Sequence, residues 1–250
     1  MTSYVLLTLG GLLFGGMVFR NRQHEREPWW MLLLAVAGGA AAMAVVFVLE
    51  DQLIGRGGLT AGHNLLYALM AGVLEEPPKV LVPAGVFLLA RKYFNDPMDG
   101  LLYGACAGLG AAMYEAVWFH FMGRPMGDDN PMLRYGPDAV RLLLHAVWGG
   151  IGGYALGLII ADKPWRTSLA QWLGFAVALH IAWDMVVSPG QEQPSLLRAV
   201  SGVILGISVV GFGALVVRTN KWSRQMHPPI SKQQLAGRIL RALISRRPRR

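Results

Sequence analysis

The sequence has little charge and almost no cysteine. Charged residues make up 15% of the 250-residue chain against 54% hydrophobic, where a soluble domain carries about 25% charged. A soluble helical protein is excluded in favour of one that meets lipid, because the apolar residues fall in runs longer than a soluble core needs. The single cysteine, Cys106, excludes an intramolecular disulfide. It lies in an apolar run without a histidine one turn away, so it reads as a small packed side chain and not a nucleophile. Period-two alternation is missing, which excludes a membrane barrel. No internal repeat stands out. No His-Glu-x-x-His is present, so a zincin helix is absent, and no Ser-His-Asp arrangement occurs at a recognisable spacing.

What is present is seven apolar segments, at about 4–20, 29–50, 64–90, 100–122, 138–161, 168–187 and 196–217. Each approximates the ~20 residues of a spanning helix. Hydrocarbon offers the backbone no partner, so these segments are predicted to be helices. The expectation is an all-α, polytopic transmembrane bundle over residues 1–217 and a basic tail over 218–250. The first segment has no basic leader and no A-x-A site, and reads as a retained helix.

Orientation follows from Lys and Arg. With the N-terminus outside, the inner segments hold three, two, two and ten of them, and the outer loops hold four. An integral protein of a bacterial-type membrane with a cytoplasmic C-terminus is expected. In the tail, Leu235, Ile239, Leu240, Leu243 and Ile244 share a helical face ringed by Arg238, Arg241, Arg246 and Arg247. Such a helix suits anionic lipid; a solvated tail that only sets topology explains it equally. Nucleic acid is a poorer partner, because the tail adjoins a membrane helix.

Ionisable residues within spans cost at least ~2.5 kcal/mol each, so a group of them calls for a function. The third segment contains Glu75-Glu76-Pro77-Pro78-Lys79. Adjacent carboxylates in hydrocarbon repel, and Lys79, three and four residues on, can neutralise one. The prolines remove donors to the carbonyls of Val73 and Leu74 and are expected to break the helix. Glu115 lies in the fourth segment, Arg141 and His145 four apart in the fifth, and His180 and Asp184 four apart in the sixth. Four-residue spacing puts each pair on one face, where Asp184 can orient the His180 ring. Glu115, His145 and His180 each lie about seven residues from the outer span end, roughly 10 Å deep at the helical rise. The cluster therefore converges in the outer half of the bundle.

Two hydrolytic routes fit these groups. In one, Glu75 or Glu76 activates water, His145 and His180 stabilise the oxyanion, and Asp184 orients His180. In the other, His145, His180 and a carboxylate from Glu115 or Glu76 bind zinc, and another Glu serves as base. The metal-free route is the preferred one on sequence alone. A proton-coupled transporter and a catalytically silent scaffold are the alternatives outside enzyme chemistry.

These residues carry a resemblance. Glu75-Glu76-x-x-Lys79, Asp99-Gly100-x-x-Tyr103-Gly104 with Gly108-Leu109-Gly110 and Glu115, Arg141-x-x-x-His145, and His180-x-x-x-Asp184 resemble the PrsW family of intramembrane proteases, related to CAAX prenyl proteases. Ala116 stands where family members often carry Asn after the Glu. The resemblance covers about 64–187. It implies cleavage of single-pass membrane-anchored proteins, such as anti-sigma factors, near the outer membrane face.

Overall fold

A computed structural model describes residue 16 and residues 27–54, 64–121, 131–161, 164–187 and 195–226. All of its regular elements are helical: α1 (Trp29–Ile54), α2 (Asn64–Leu89), a 3₁₀ turn (Arg91–Tyr93), α3 (Pro97–Phe121), α4 (Pro131–Ile160), α5 (Trp165–Ser168), a π-helical turn (Leu169–Leu173), α6 (Gly174–Val186) and α7 (Ser195–Met226). The segment at 4–20 and the amphipathic pattern at 235–247 lie outside the described residues, as do His24, His63 and His227. The last helix runs nine residues beyond the expected boundary at 217 and buries Thr219 and Ser223.

Among the described residues, four stretches are long and apolar enough to cross a membrane: Trp29–Leu53, Asp138–Ile160, Arg166–Val186 and Ser195–Ser223. Helices α2 and α3 have 26 and 25 residues, about 38 Å or more at the helical rise, but are interrupted by Glu75, Glu76 and Lys79 and by Asp99 and Glu115. Leu34, Val45 and Val48 of α1, Leu81 and Leu88 of α2, and Val203 and Val210 of α7 all face outward. Such a surface is costly in water and natural against lipid tails.

The expected break at Pro77-Pro78 does not occur. Helix α2 runs unbroken through Pro77, Pro78 and Pro83. Each proline deletes one hydrogen bond, but the turns on either side and packing on α1, α3, α4 and α6 hold the helix line.

Helix α3 starts on reciprocal caps. Asp96 Oδ1 accepts from the amides of Met98 and Asp99 at 2.7 and 3.2 Å, and Asp99 Oδ2 accepts from those of Asn95 and Asp96 at 2.8 and 3.0 Å. Pro97 at the first helical position loses nothing, since its amide would be an orphan there. One turn on, the Tyr103 hydroxyl donates to Glu27 Oε2 at 2.5 Å, and the ring stacks on Phe94. Cys106 packs in the same cluster with Leu32 and Ala35. The second large cluster joins Trp148, Ile151 and Tyr154 of α4 to Leu179 of α6 and Leu215 of α7.

Among the described helices, the closest pairing is α3 on α4, along glycines spaced four apart on both helices. A Cβ at Gly104 would lie 2.2 Å from the Gly149 carbonyl oxygen, and one at Gly108 1.9 Å from that of His145. No side chain fits at either distance, so glycine sets how near the backbones come. Gly202 and Gly206 on α7 share the spacing but meet nothing within 4 Å. Gly104→Val is expected to cost at least about 1–3 kcal/mol by overpacking, and Gly202→Ala to leave stability unchanged or higher. Unfolding of both variants in detergent micelles measures this; equal stabilities would show that the ridge does not hold the pair.

Candidate metal centre

The site is built where α2, α3, α4 and α6 meet. On α2, the i,i+3 spacing lets Lys79 Nζ donate to Glu76 Oε1 at 2.7 Å, and the i,i+4 spacing leaves it 3.9 Å from Glu75 Oε2. Lys79 is only 1% exposed. A buried ammonium this far from water persists only when paired and hydrogen-bonded.

Helix α6 presents His180 to the same carboxylate. His180 Nδ1 lies 2.7 Å from Glu76 Oε1, and its Nε2 lies 3.4 Å from Asp184 Oδ2 and 3.9 Å from Glu75 Oε2. The short contact assigns the proton to Nδ1, donating to Glu76, and leaves Nε2 facing Asp184 and Glu75. The ring is held flat by Trp148, stacked at 4.8 Å between centroids. The Trp148 indole N–H donates in turn to Ser208 Oγ on α7 at 3.0 Å.

Helix α4 adds His145, whose ring centroid is 5.3 Å from that of His180. His145 Nε2 lies 3.2 Å from Glu115 Oε2 of α3. Arg141, one turn earlier, reaches Glu115 Oε1 with Nε at 3.3 Å and donates to Asp138 Oδ1 at 2.6 Å. Its guanidinium also covers the Phe119 ring. All eight residues singled out in the sequence thus lie in one connected cluster.

Two features of the cluster fit a cation. Five carboxylates (Glu75, Glu76, Glu115, Asp138 and Asp184) face two fixed cations, Lys79 and Arg141. Three buried atoms, Glu75 Oε2, Glu76 Oε2 and His145 Nδ1, have no hydrogen-bond partner among the described residues. Each is an acceptor when His145 carries its proton on Nε2. Buried lone pairs without donors are costly, and a cation relieves that cost. Glu75, His145 and His180 each bring one donor atom within 4.8 Å of the others. Two imidazoles and one carboxylate form a known catalytic zinc set, so the residues fit a metal. The carboxylate of this triad is Glu75. Of the sequence's candidates, Glu76 bonds Lys79 and His180, and Glu115 bonds Arg141 and His145.

A family model described as PrsW family intramembrane metalloprotease matches residues 27–224. The chain belongs to this family. It is 26% identical over 152 residues to Protease PrsW of Bacillus subtilis (strain 168), covering 58% of this chain and 62% of the relative. It is 30% identical over 84 residues to Protease PrsW of Clostridioides difficile (strain 630), covering 32% and 34%. The matched region is thus less than two thirds of the length of either relative. No solved structure matches the chain. Family and spanning helices together make this an integral membrane protein.

Within this PrsW-family chain the structure also shows residues that sequence reading missed. Glu50, wholly buried on α1, interacts electrostatically with Glu75 and with Tyr67 of α2. At the end of an apolar run it read as a span boundary. Trp148 follows His145 by three residues, one turn on the same face, which was the only signal for it. Replacing Lys79 by Met should cost about 3–5 kcal/mol, because it strands charge on Glu76. Adding Glu76→Gln should recover part of that loss. A double-mutant cycle on unfolding midpoints checks the coupling; strictly additive losses would show that the pair is independent.

Proposed function

We propose that this chain is an intramembrane endopeptidase. It hydrolyses single-pass, membrane-anchored protein substrates of the anti-sigma-factor type near the outer membrane face, with zinc held by Glu75, His145 and His180. The observation that carries this reading is the convergence of donor-less acceptors at one buried point. It favours the metal route over the metal-free glutamate route, because a lone carboxylate base needs neither imidazole lone pair. When bound there, zinc supplies Lewis-acid activation of water and of the scissile carbonyl.

The chain's own groups have separate tasks. Glu76 holds the His180 proton at Nδ1, and Lys79 donates to that same carboxylate oxygen. Glu115 does the same for His145, steadied by Arg141. Asp184 is 22% exposed where Glu75 is 4%. It is the carboxylate placed to carry protons between the site and water, including the one the leaving amine needs. Trp148, itself buried, holds the plane of the His180 ring by stacking on it. In this reading α2, α3 and the segment at 4–20 also span, making seven helices with the N-terminus outside and the C-terminus cytoplasmic.

Purified full-length protein should hold zinc near one per chain. His145→Ala/His180→Ala should abolish metal and cleavage, and Glu76→Gln should weaken metal affinity roughly 10–100-fold through the lost support of His180. Metal analysis together with cleavage of candidate single-pass substrates in liposomes reads all three. Undiminished cleavage by the variants would overturn the protease reading, and full cleavage by zinc-free wild type would overturn the metal.

A further inference from the structure

Far from the catalytic cluster, the last turns of α7 carry a second built surface. Gly213, Val217, Arg218, Lys221 and Trp222 line an open groove of 650 Å³. Through Ala214 and Arg218 it continues into a slot of 260 Å³ between α4, the π-helical turn and α7, walled by Ile151, Trp172 and Phe175. The composition is graded along the helix axis. Apolar and glycine positions come first, then two cations three residues apart on one face, then an indole. The spanning stretch ends at Ser223, so Arg218, Lys221 and Trp222 sit where hydrocarbon gives way to headgroups. Lys, Arg and Trp are the side chains that anchor there.

Nothing on α7 neutralises these cations, since no Asp or Glu follows Glu192 in the chain. Beneath the slot, the buried Tyr154 hydroxyl has no hydrogen-bond partner among the described residues. Its ring packs on Trp172 at 5.1 Å, and it interacts electrostatically with Arg218. Trp172 itself comes from the π-helical turn, a distortion often kept at binding sites.

We propose that this groove holds one anionic phospholipid, its phosphate on Arg218 and Lys221 and its acyl chains along Gly213, Val217 and the Trp172 slot. Charge decides between possible occupants. Residues 227–250 contain seven Lys or Arg and no acid, so the chain's own tail would be repelled. A second copy packed on this face would set Arg218 and Lys221 against their equivalents. A diacyl anion matches both the apolar length and the two cations, as basic pockets between spanning helices do elsewhere. This site is separate from any lipid contact of the tail.

The test is native mass spectrometry of full-length protein in detergent, with dioleoylphosphatidylglycerol, dioleoylphosphatidylcholine or inorganic phosphate added. Wild type should retain one phosphatidylglycerol in preference to the other two. Arg218→Gln/Lys221→Gln should reduce retention roughly tenfold or more, from two lost cation contacts. Gly213→Leu should reduce it similarly; a Cβ there meets nothing within 4 Å, so the added side chain enters the groove without disturbing the helices. Arg246→Gln/Arg247→Gln/Arg249→Gln/Arg250→Gln should leave retention intact. Equal retention of phosphatidylcholine, displacement by phosphate alone, unchanged binding in both groove variants, or loss in the tail variant would each overturn the proposal.

Discussion

A lysine ammonium buried against one carboxylate and near another, inside an apolar helix bundle, is the contact on which the site depends. Lys79 makes the adjacent pair Glu75 and Glu76 tolerable by bonding Glu76 at 2.7 Å. That bond commits one oxygen of Glu76 to Lys79 and His180 together. Glu75 is left with an oxygen turned towards the imidazoles and no donor of its own. The two neighbouring glutamates thus have different work because a single cation breaks their equivalence. Without Lys79 two adjacent carboxylates would face each other in a low-dielectric interior with no cation between them, and Glu76 would lose the partner that shares its oxygen with His180.

The glycine ridges hold the other half of the cluster in place. Gly108 lies against the His145 carbonyl, and Gly104 against that of Gly149. This contact lets α4 come near enough for His145 and Arg141 to share Glu115, two turns along α3 from Gly108. The reciprocal caps at Asp96 and Asp99 and the Tyr103–Glu27 bond fix where α3 begins and how it lies on α1. Packing at one end of the helix therefore sets the placement of Glu115 some 16 residues away, about 24 Å at the helical rise. Function at one depth rests on backbone contact at another.

Much of the helical layout could be read from apolar run length, because hydrocarbon permits few backbone solutions. The boundaries at Trp29, Asn64 and Leu89 lie within a residue of expectation. Helix α7 outran its apolar segment to Met226, and the buried Thr219 there satisfies its hydroxyl on the Leu215 carbonyl. The continuous α2 was misread from its prolines, since packing on four neighbouring helices offsets the lost hydrogen bonds. The π-helical turn at Leu169–Leu173 left no sequence signal, because nothing local in Leu-Ala-Gln-Trp-Leu demands an extra residue per turn.

By itself the sequence determined every relation internal to one helix. Lys79 reaches Glu76, Asp184 faces His180, and Arg141 shares a face with His145, because a rise of 1.5 Å and 3.6 residues per turn leave no freedom. Which glutamate brings a donor atom near both His145 and His180 was a different question. Glu75 and Glu76 are chemically identical neighbours pointing about 100° apart around the axis, and only the rotation of α2 against α4 and α6 selects between them. The same holds for Glu50 and Trp148, whose place beside the cluster depends on helix pairing. That pairing is a sum of close glycine contacts and buried ionic bonds across helices, and it exists only once the bundle is assembled.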